Sequence, residues 1–184
     1  RLFCNIFCCK IIDFFMASIL ITGGTGLVGS NLCNLLKSKG HNVLILSRSK
    51  KKKTNVFHWD IEKKQIDNEA IINADYIIHL AGAGIADKRW TKSRKKELIA
   101  SRVDSTNLLF EKVKELKPNL KGFISASGIG FYGAITSKKI FQENDAPNND
   151  FLSKICILWE KEVYKFNSLN IRTVVLRTGV VFSK

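Results

Sequence analysis

The amino-acid sequence predicts an α/β fold in which a doubly wound parallel sheet carries helices on both faces. Three observations support this prediction. Apolar runs of strand length alternate with longer segments of helical periodicity along the chain. The apolar runs are nearly continuous, as in strands that are covered on both faces. A glycine-rich turn joins the first run to the first helical segment.

The strand and helix predictions follow these runs in order. Gly40 ends the first helix, because glycine readily takes the left-handed conformation that closes a helix. The longest helix has an apolar stripe at helical spacing, formed by Ile99, Val103, Thr106, Leu109 or Phe110, Val113 and Leu116. The expected strands are 18–22, 42–47, 75–82, 121–127 and 172–181, with 55–60 as a further candidate, and the expected helices are 27–39, 91–116 and 151–167.

The turn after the first strand has the pattern TGxxGxxG. Gly23 permits a tight turn, Gly26 lets the backbone approach a pyrophosphate, and Gly29 lets the following helix pack on the sheet. The helix N-terminus would direct unpaired N–H groups at the anion. This context predicts a Rossmann-like dinucleotide site; the alternative is a purely structural glycine turn. The expected contacts are Gly23, Gly24, Thr25, Gly26, Leu27, Val28 and Gly29.

The end of the second strand indicates which dinucleotide would bind. An NAD site usually places Asp or Glu there for the ribose 2′-hydroxyl, whereas this strand ends in Ser47 and Arg48. A hydroxyl and a guanidinium suit a 2′-phosphate, and four lysines follow. The sequence therefore favours NADP(H). The alternative is that Arg48 only begins an exposed run of charge.

Composition narrows the range of partners. The 184 residues, 45% of them apolar, suit one domain with a full core. The formal net charge is +14, but the lysines are spread along the chain, so we expect a solvated surface and no nucleic-acid partner. The five cysteines lack paired spacing and the three histidines are scattered, so we expect no metal and a reducing, cytoplasmic location. No membrane partner is expected, and nothing indicates an oligomeric state.

The two ends of the sequence suggest a fragment. The only methionine, Met16, directly precedes the first strand, so residues 1–15 are interpreted as an upstream or non-native leader. A secretory or membrane segment is the rival interpretation, although Lys10 and Asp13 interrupt its apolar run. The expected domain is therefore 16–184, an NADP-binding domain truncated at its C-terminus, without the part that would bind substrate.

Five stretches together resemble a known family. They are TGGTGLVG, HLAGAGIADKRWTKSRKKELIASRVDSTNLL, SASGIGFYG, NDFLSKICILWEKE and LRTGVVFS. They are similar to the YfcH-like epimerase family proteins, which are atypical short-chain dehydrogenases/reductases within the NAD-dependent epimerase/dehydratase superfamily. The resemblance covers about residues 17–184. It implies NADP(H) as the cofactor and a longer family chain.

The resemblance also implies particular cofactor contacts outside the glycine turn. At Ala81 and Gly82 the residues themselves agree, because a small pair at a strand end lets a cofactor lie across the sheet edge. For Glu97 and Arg102 the alternative is a surface ion pair on a helix. The implied contacts are Ser47, Arg48, Leu80, Ala81, Gly82, Glu97, Arg102 and Val181.

The usual catalytic pair of short-chain reductases, Tyr-x-x-x-Lys, is absent from this sequence. Leu152 and Cys156 occupy its places, a departure that the family shares. Ser127 and Tyr132 remain as catalytic candidates, a hydroxyl to polarise a carbonyl and a phenol for acid–base work. The alternatives are a serine bonded to local backbone and a packed aromatic ring.

Two functions are compatible with these residues. The first is an NADP-dependent oxidoreductase or epimerase that acts on an unidentified small molecule with a carbonyl or sugar-like group. The second is an NADP(H)-binding protein without ordinary turnover that acts as a redox-responsive or regulatory partner.

Overall fold

The computed structural model describes residues 16–49, 54–136 and 138–182, so the expected leader 1–15 and the lysines 50–53 lie outside the described residues. Within these ranges the chain forms one sheet of seven strands. The strands are β1 Ser18–Thr22, β2 Asn42–Ser47, β3 Val56–Asp60, β4 Gln65–Ile66, β5 Tyr76–His79, β6 Gly122–Gly128 and β7 Arg172–Thr178.

The strand order places β1 at the centre of the sheet. The order is β4-β3-β2-β1-β5-β6-β7, and every neighbouring pair except β3–β4 is parallel. Thr22 at the end of β1 lies beside Leu46 of β2 and His79 of β5. From β1 the chain continues to β2 on one side and later to β5 on the other. Open α/β sheets bind ligands at such a point, beyond the carboxyl ends of the strands. The topology therefore directs attention to the carboxyl ends of β1, β2 and β5.

Helices cover both faces of the sheet, as the sequence predicts. One helix packs on one face through Cys33, against Ile19, Ile21 and Val43. The other three helices share the second face with the larger apolar cluster, in which Phe123 and Phe166 stack with ring centroids 3.7 Å apart. The helices are α1 Leu27–Ser38, α2 Asn68–Ile72, α3 Lys92–Leu116 and α4 Phe151–Tyr164. In the described ranges, no helix is both long and apolar enough to cross a bilayer.

Several boundaries differ from the sequence predictions. The strand expected at 75–82 ends at His79, and the one expected at 172–181 ends at Thr178. The last helix gives way to a 3₁₀ turn, Lys165–Leu169, instead of reaching residue 167. The short elements β4 and α2 were not predicted, and β4 is antiparallel to β3. Two residues of strand and five of helix are too short to show a periodicity.

The buried face of α3 is also shifted from the predicted stripe at its N-terminal half. Leu98 is fully buried there, whereas Ile99 and Val103 are only partly buried. Farther along, Thr106, Leu109, Phe110 and Val113 are buried as predicted, whereas Leu116 is only partly buried and Leu108 is buried without having been predicted. The shift brings two serines, Ser101 and Ser105, toward the sheet, and both of them hydrogen-bond residues of the carboxyl edge.

Candidate functional site

The glycine turn lies at the carboxyl end of β1, and its conformation requires residues that have no side chain. Gly23 has a φ of +69°, and a Cβ there would lie 2.9 Å from the carbonyl carbon of Leu80. A Cβ at Gly29 would overlap the carbonyl oxygen of Gly23. By contrast, a Cβ at Gly26 would meet nothing nearer than 3.4 Å, and Gly26 is exposed. Two glycines therefore let strand, turn and helix pack closely, and the third leaves an open face.

Helix α1 begins at this turn with no side-chain cap. Its N-cap is Gly26, whereas Asp67, Thr91 and Asp150 cap α2, α3 and α4 through side-chain oxygens. The first-turn N–H groups of α1 lack such an acceptor, and the surrounding segment 25–28 is exposed. With the positive end of the helix dipole, this arrangement suits the phosphates of an anionic ligand.

A chain of buried hydrogen bonds links the end of β1, just before the glycine turn, to β5 and α3. The hydroxyl of Thr22 accepts the backbone N–H groups of Leu80 and Ala81, each at 3.1 Å. Because both lone pairs of the hydroxyl are then used, its hydrogen points to Nδ1 of His79, 2.7 Å away. The proton of His79 must therefore be on Nε2, which faces the Ser105 hydroxyl at 3.3 Å. Ser105 in turn donates to the backbone of α3.

The imidazole of His79 is a structural group in this chain. It is fully buried and packs edge-on against Trp59 and Trp159. Burial, together with a smaller contribution from the charge of Arg102, lowers the pKa of His79 to about 3. The ring is thus neutral near neutral pH, as its acceptor role toward Thr22 requires.

The end of β2 carries no carboxylate. Ser47 accepts the backbone N–H of Ser49 at 3.1 Å, and the exposed Arg48 lies between them. Asp60, at the end of β3, accepts the N–H of Lys63 at 3.0 Å and so caps a turn. Arg48 is the cation that directly follows the strand beside β1.

The segment Leu80–Gly82, which follows β5 and is called the floor of the site, lies against the side chain of Arg102. A Cβ at Gly82 would lie 3.0 Å from Cζ of Arg102, so the guanidinium occupies the space beside this glycine. The guanidinium also lies over the Trp159 ring, 5.3 Å from its centroid, and donates to the carbonyl of Leu98 at 3.1 Å. Burial lowers the pKa of Arg102. The structure thus brings Leu80, Ala81, Gly82 and Arg102 together.

Glu97 does not pair with Arg102. Its carboxylate contacts Nη1 of Arg94 at 2.7 Å, one turn earlier on α3. Arg94 is buried, and its Nη2 donates to the carbonyl of Gly84 at 2.6 Å. The hydrogen bond from Arg94 is the main reason why the pKa of Glu97 is lowered, with smaller contributions from the charges of Lys88 and Arg48. Glu97 is therefore held by Arg94 beside the loop that follows β5, and not by Arg102.

Ser127 belongs to a buried ionic network. Its hydroxyl donates to Oε1 of Glu160 at 2.7 Å, and both residues are buried. Arg177 binds the same carboxylate in bidentate fashion, with two N–O distances of 2.9 Å. This network joins the ends of β6 and β7 to α4, and the pairing with Glu160 raises the pKa of Arg177.

The phenol of Tyr132 is attached to the same network. It donates to the carbonyl of Gln142 at 2.7 Å and accepts from Nη1 of Arg177 at 2.8 Å. The ring stacks on Phe141, with 4.8 Å between centroids. The structure thus brings Ser127 and Tyr132 together through Arg177, and directs both hydroxyl hydrogens to acceptors within the protein.

Cys156 lies against the end of β6 instead of a catalytic lysine. Its thiol donates to the carbonyl of Gly128 at 3.6 Å, and burial raises its pKa, which keeps it protonated. Leu152 packs near Gly130, where an added Cβ would lie 3.2 Å from the leucine Cβ. The predicted contact Val181 follows β7 and is 53% exposed.

Sequence reasoning missed the roles of the buried polar residues His79, Arg94 and Glu160 and of the partly buried Arg177. Two of the buried residues carried a signal, since a histidine closes an apolar strand at residue 79 and Glu160 falls in register with the buried positions of α4. For Arg177 the signal is a charge that directly follows the apolar run 174–176 within a strand. In the described residues, no group of three or more His, Cys, Asp or Glu side chains could hold a metal ion.

Comparison with curated proteins gives relatives that share one description. An epimerase family protein of Mycobacterium bovis is 33% identical over 167 residues, which are 91% of this chain and 54% of that protein. The epimerase family protein YfhF of Bacillus subtilis is 34% identical over 171 residues, 91% of this chain and 56% of the relative. The chain thus spans about half the length of the curated relatives that it matches.

Solved structures agree with the fold. A nucleoside-diphosphate sugar epimerase from Corynebacterium glutamicum superposes with a TM-score of 0.78 at 34% identity, covering 93% of this chain and 35% of that one. Human epimerase family protein SDR39U1, solved with NADPH, gives a TM-score of 0.74 at 26% identity over 91% of this chain and 55% of the human one. A family model described as "NAD dependent epimerase/dehydratase family" matches residues 19–184. The chain therefore belongs to the NAD dependent epimerase/dehydratase family.

Proposed function

We propose that this chain is the NADP(H)-binding part of an oxidoreductase or epimerase of the atypical, YfcH-like type, acting on a small carbonyl or sugar-like substrate. One observation carries the proposal. The uncapped N-terminus of α1 opens at the glycine turn, and the neighbouring strand β2 ends in Ser47 and Arg48 with no carboxylate. The turn suits a pyrophosphate, and Arg48 suits a 2′-phosphate.

The relatives support the choice of cofactor and substrate class. The human neighbour was solved with NADPH, and the Corynebacterium neighbour is described as acting on nucleoside-diphosphate sugars. When bound, a nicotinamide cofactor supplies hydride transfer. The residues of this chain would hold it through the glycine turn, the floor Leu80–Gly82, Glu97, Arg102 and Val181. The proposed protein is cytoplasmic and takes no nucleic-acid or membrane partner.

A second function, NADP(H) binding without ordinary turnover, is favoured because both candidate hydroxyls already donate hydrogen bonds to acceptors of the protein. Ser127 donates to Glu160 and Tyr132 donates to the Gln142 carbonyl, so each must exchange a protein acceptor for substrate before it can donate a proton. Leu152 and Cys156 replace the usual tyrosine and lysine. A catalytic role for Ser127 or Tyr132 therefore requires a rearrangement of this network when substrate binds.

Titration of the purified protein with NADPH and NADH, followed by cofactor fluorescence, tests the proposal. We expect NADPH to bind more tightly than NADH, and Arg48→Asp to remove the preference. Arg172→Asp is the matched control, because Arg172 is an exposed arginine at the start of β7. Equal weak binding of both cofactors would refute the proposal. NADPH oxidation with a panel of aldehydes, ketones and nucleotide sugars then separates an enzyme from a binding protein.

A further inference from the structure

The loop between β5 and α3 is held in place by contacts within the chain. The backbone N–H of Ala83 donates to the Ser101 hydroxyl at 3.1 Å. The Trp90 indole donates to the carbonyl of Ile85 at 2.8 Å, and its ring packs against Phe151 with 5.3 Å between centroids. The loop therefore presents the exposed residues 86–89 from a fixed position beside the site.

The buried Arg94 organises the charges at this loop. Its guanidinium contacts Glu97 at 2.7 Å and Asp87 at 3.8 Å, so two carboxylates face one arginine. A Cβ at Gly84 would overlap the Asp87 carboxylate, which shows how tightly the loop turns there. The positive charge of Arg94 is thus neutralised within the cluster, and Lys88 directly follows Asp87.

Two exposed cations act on Glu97 without forming an ion pair. Neither Arg48 nor Lys88 has a carboxylate within ion-pair distance in the part of the chain that the structure describes. Both lie close enough to Glu97 for their charges to lower the pKa of its carboxylate. Arg48 directly follows β2, and the loop that carries Lys88 begins at the end of β5, so the two residues come from the strands on either side of β1.

We propose that Lys88 is a second cationic ligand of the adenosine 2′-phosphate, reaching it from the β5–α3 loop opposite Arg48. This inference rests on the proposed function, since it requires NADP(H). A dianionic phosphate suits two converging cations, whereas a ribose hydroxyl gains little from either. Asp87, Arg94 and Glu97 position the loop, so that Lys88 can discriminate between the two cofactors.

The test compares Lys88→Ala with the matched control Lys114→Ala, which removes an exposed lysine at the far end of α3. We expect Lys88→Ala to raise the Kd of NADPH about tenfold and to change that of NADH less than about twofold. Lys88→Arg should retain most of the preference. The dissociation constant of 2′,5′-ADP, obtained from displacement curves corrected for the Kd of NADPH in each variant, should rise in Lys88→Ala, whereas that of 5′-AMP should stay the same, which isolates the adenosine end.

The outcomes distinguish this inference from the proposed function. If the wild type prefers NADPH and Arg48→Asp abolishes the preference, but Lys88→Ala leaves the ratio of the two Kd values unchanged, the inference is wrong and the proposed function stands. An equal loss of affinity for NADPH and NADH in Lys88→Ala also overturns the inference, because the lysine would then act on the whole dinucleotide. If the wild type shows no preference, both fail.

Discussion

The two edges of the sheet are built from similar polar contacts in different surroundings. At the amino edge, residues at the strand starts are linked in a row, from Asn55 to Asn42 to Ser18, then to Asp75 and Lys121. These contacts are exposed or only partly buried. At the carboxyl edge the corresponding links, Thr22–His79–Ser105 and Ser127–Glu160–Arg177, are buried except at Arg177, whose side chain is 17% exposed.

The comparison teaches that location decides what a hydrogen bond contributes. Water can replace a lost partner at the amino edge, whereas a buried group at the carboxyl edge is left unsatisfied. The carboxyl edge is also where the glycine turn and Arg102 lie, so the costly networks position the candidate site. The amino edge holds strands in register and can vary.

The largest effect should follow from removing one member of the buried ion pair. Arg177→Leu leaves the Glu160 carboxylate buried without its bidentate partner, which costs about 3–5 kcal/mol of unfolding free energy. Arg172→Leu is the matched control, because it changes an exposed arginine at the amino end of the same strand, and it should cost less than about 0.5 kcal/mol. Urea denaturation measures both. Equal costs would show that the two edges do not differ.

A slightly smaller effect is expected at the glycine turn. Gly29→Ala places a methyl group on the carbonyl oxygen of Gly23 and should cost about 1–3 kcal/mol, because backbone must move. Gly26→Ala meets no atom nearer than 3.4 Å and should fold normally. It should still weaken NADPH binding, because its methyl group enters the open face of the turn. Thermal unfolding and the NADPH titration together separate packing from binding, and a stable Gly29→Ala would contradict the packing role.

The sequence predicts the regular part of this molecule well. The bounds of β1 and β2 agree with the apolar runs 18–22 and 42–47, because Gly23 directly follows the first run and Gly40 lies just before the second. The positions of the glycine turn and of Arg48 follow from the same pattern. Local periodicity is enough for these features, since neighbours in sequence determine them.

The networks could not be predicted, because their members are distant in sequence. Glu160 and Arg177 are 17 positions apart, and Thr22 and His79 are 57 apart. The apolar periodicity of a helix also defines its buried face only to within one residue, which is why Ser105 was not expected to face the sheet. Only the packing of α3 and α4 on the sheet determines which polar groups become partners.

A pH effect of intermediate size should arise from His79. The pKa of this group is about 3 in the folded chain and near 6.5 when unfolded, so the unfolded state binds the proton first as pH falls. Its contribution to stability is complete above about pH 6.5 and decreases toward pH 3. Between pH 7 and 5 the wild type should lose about 2 kcal/mol from this source.

His79→Asn is the comparison for that measurement, because the asparagine amide lies where Nδ1 of the imidazole was. Its amide oxygen can accept from the Thr22 hydroxyl but does not titrate. Chemical denaturation at pH 7 and pH 5 should show a steeper loss for the wild type than for the variant. Parallel losses would mean that the pH dependence of stability comes from other titrating groups and not from His79.

The smallest effects belong to the amino edge. Asp75 accepts from Lys121 at 2.7 Å and from the Ser18 N–H at 2.8 Å, and the lysine bond is the main reason why the pKa of Asp75 is lowered. Because the Lys121 side chain is 49% exposed, Lys121→Ala should cost far less stability than Arg177→Leu. Salt should reduce that cost further, since exposed charges are screened. A loss as large as that of Arg177→Leu would show that the amino edge is as rigidly coupled to folding as the site itself.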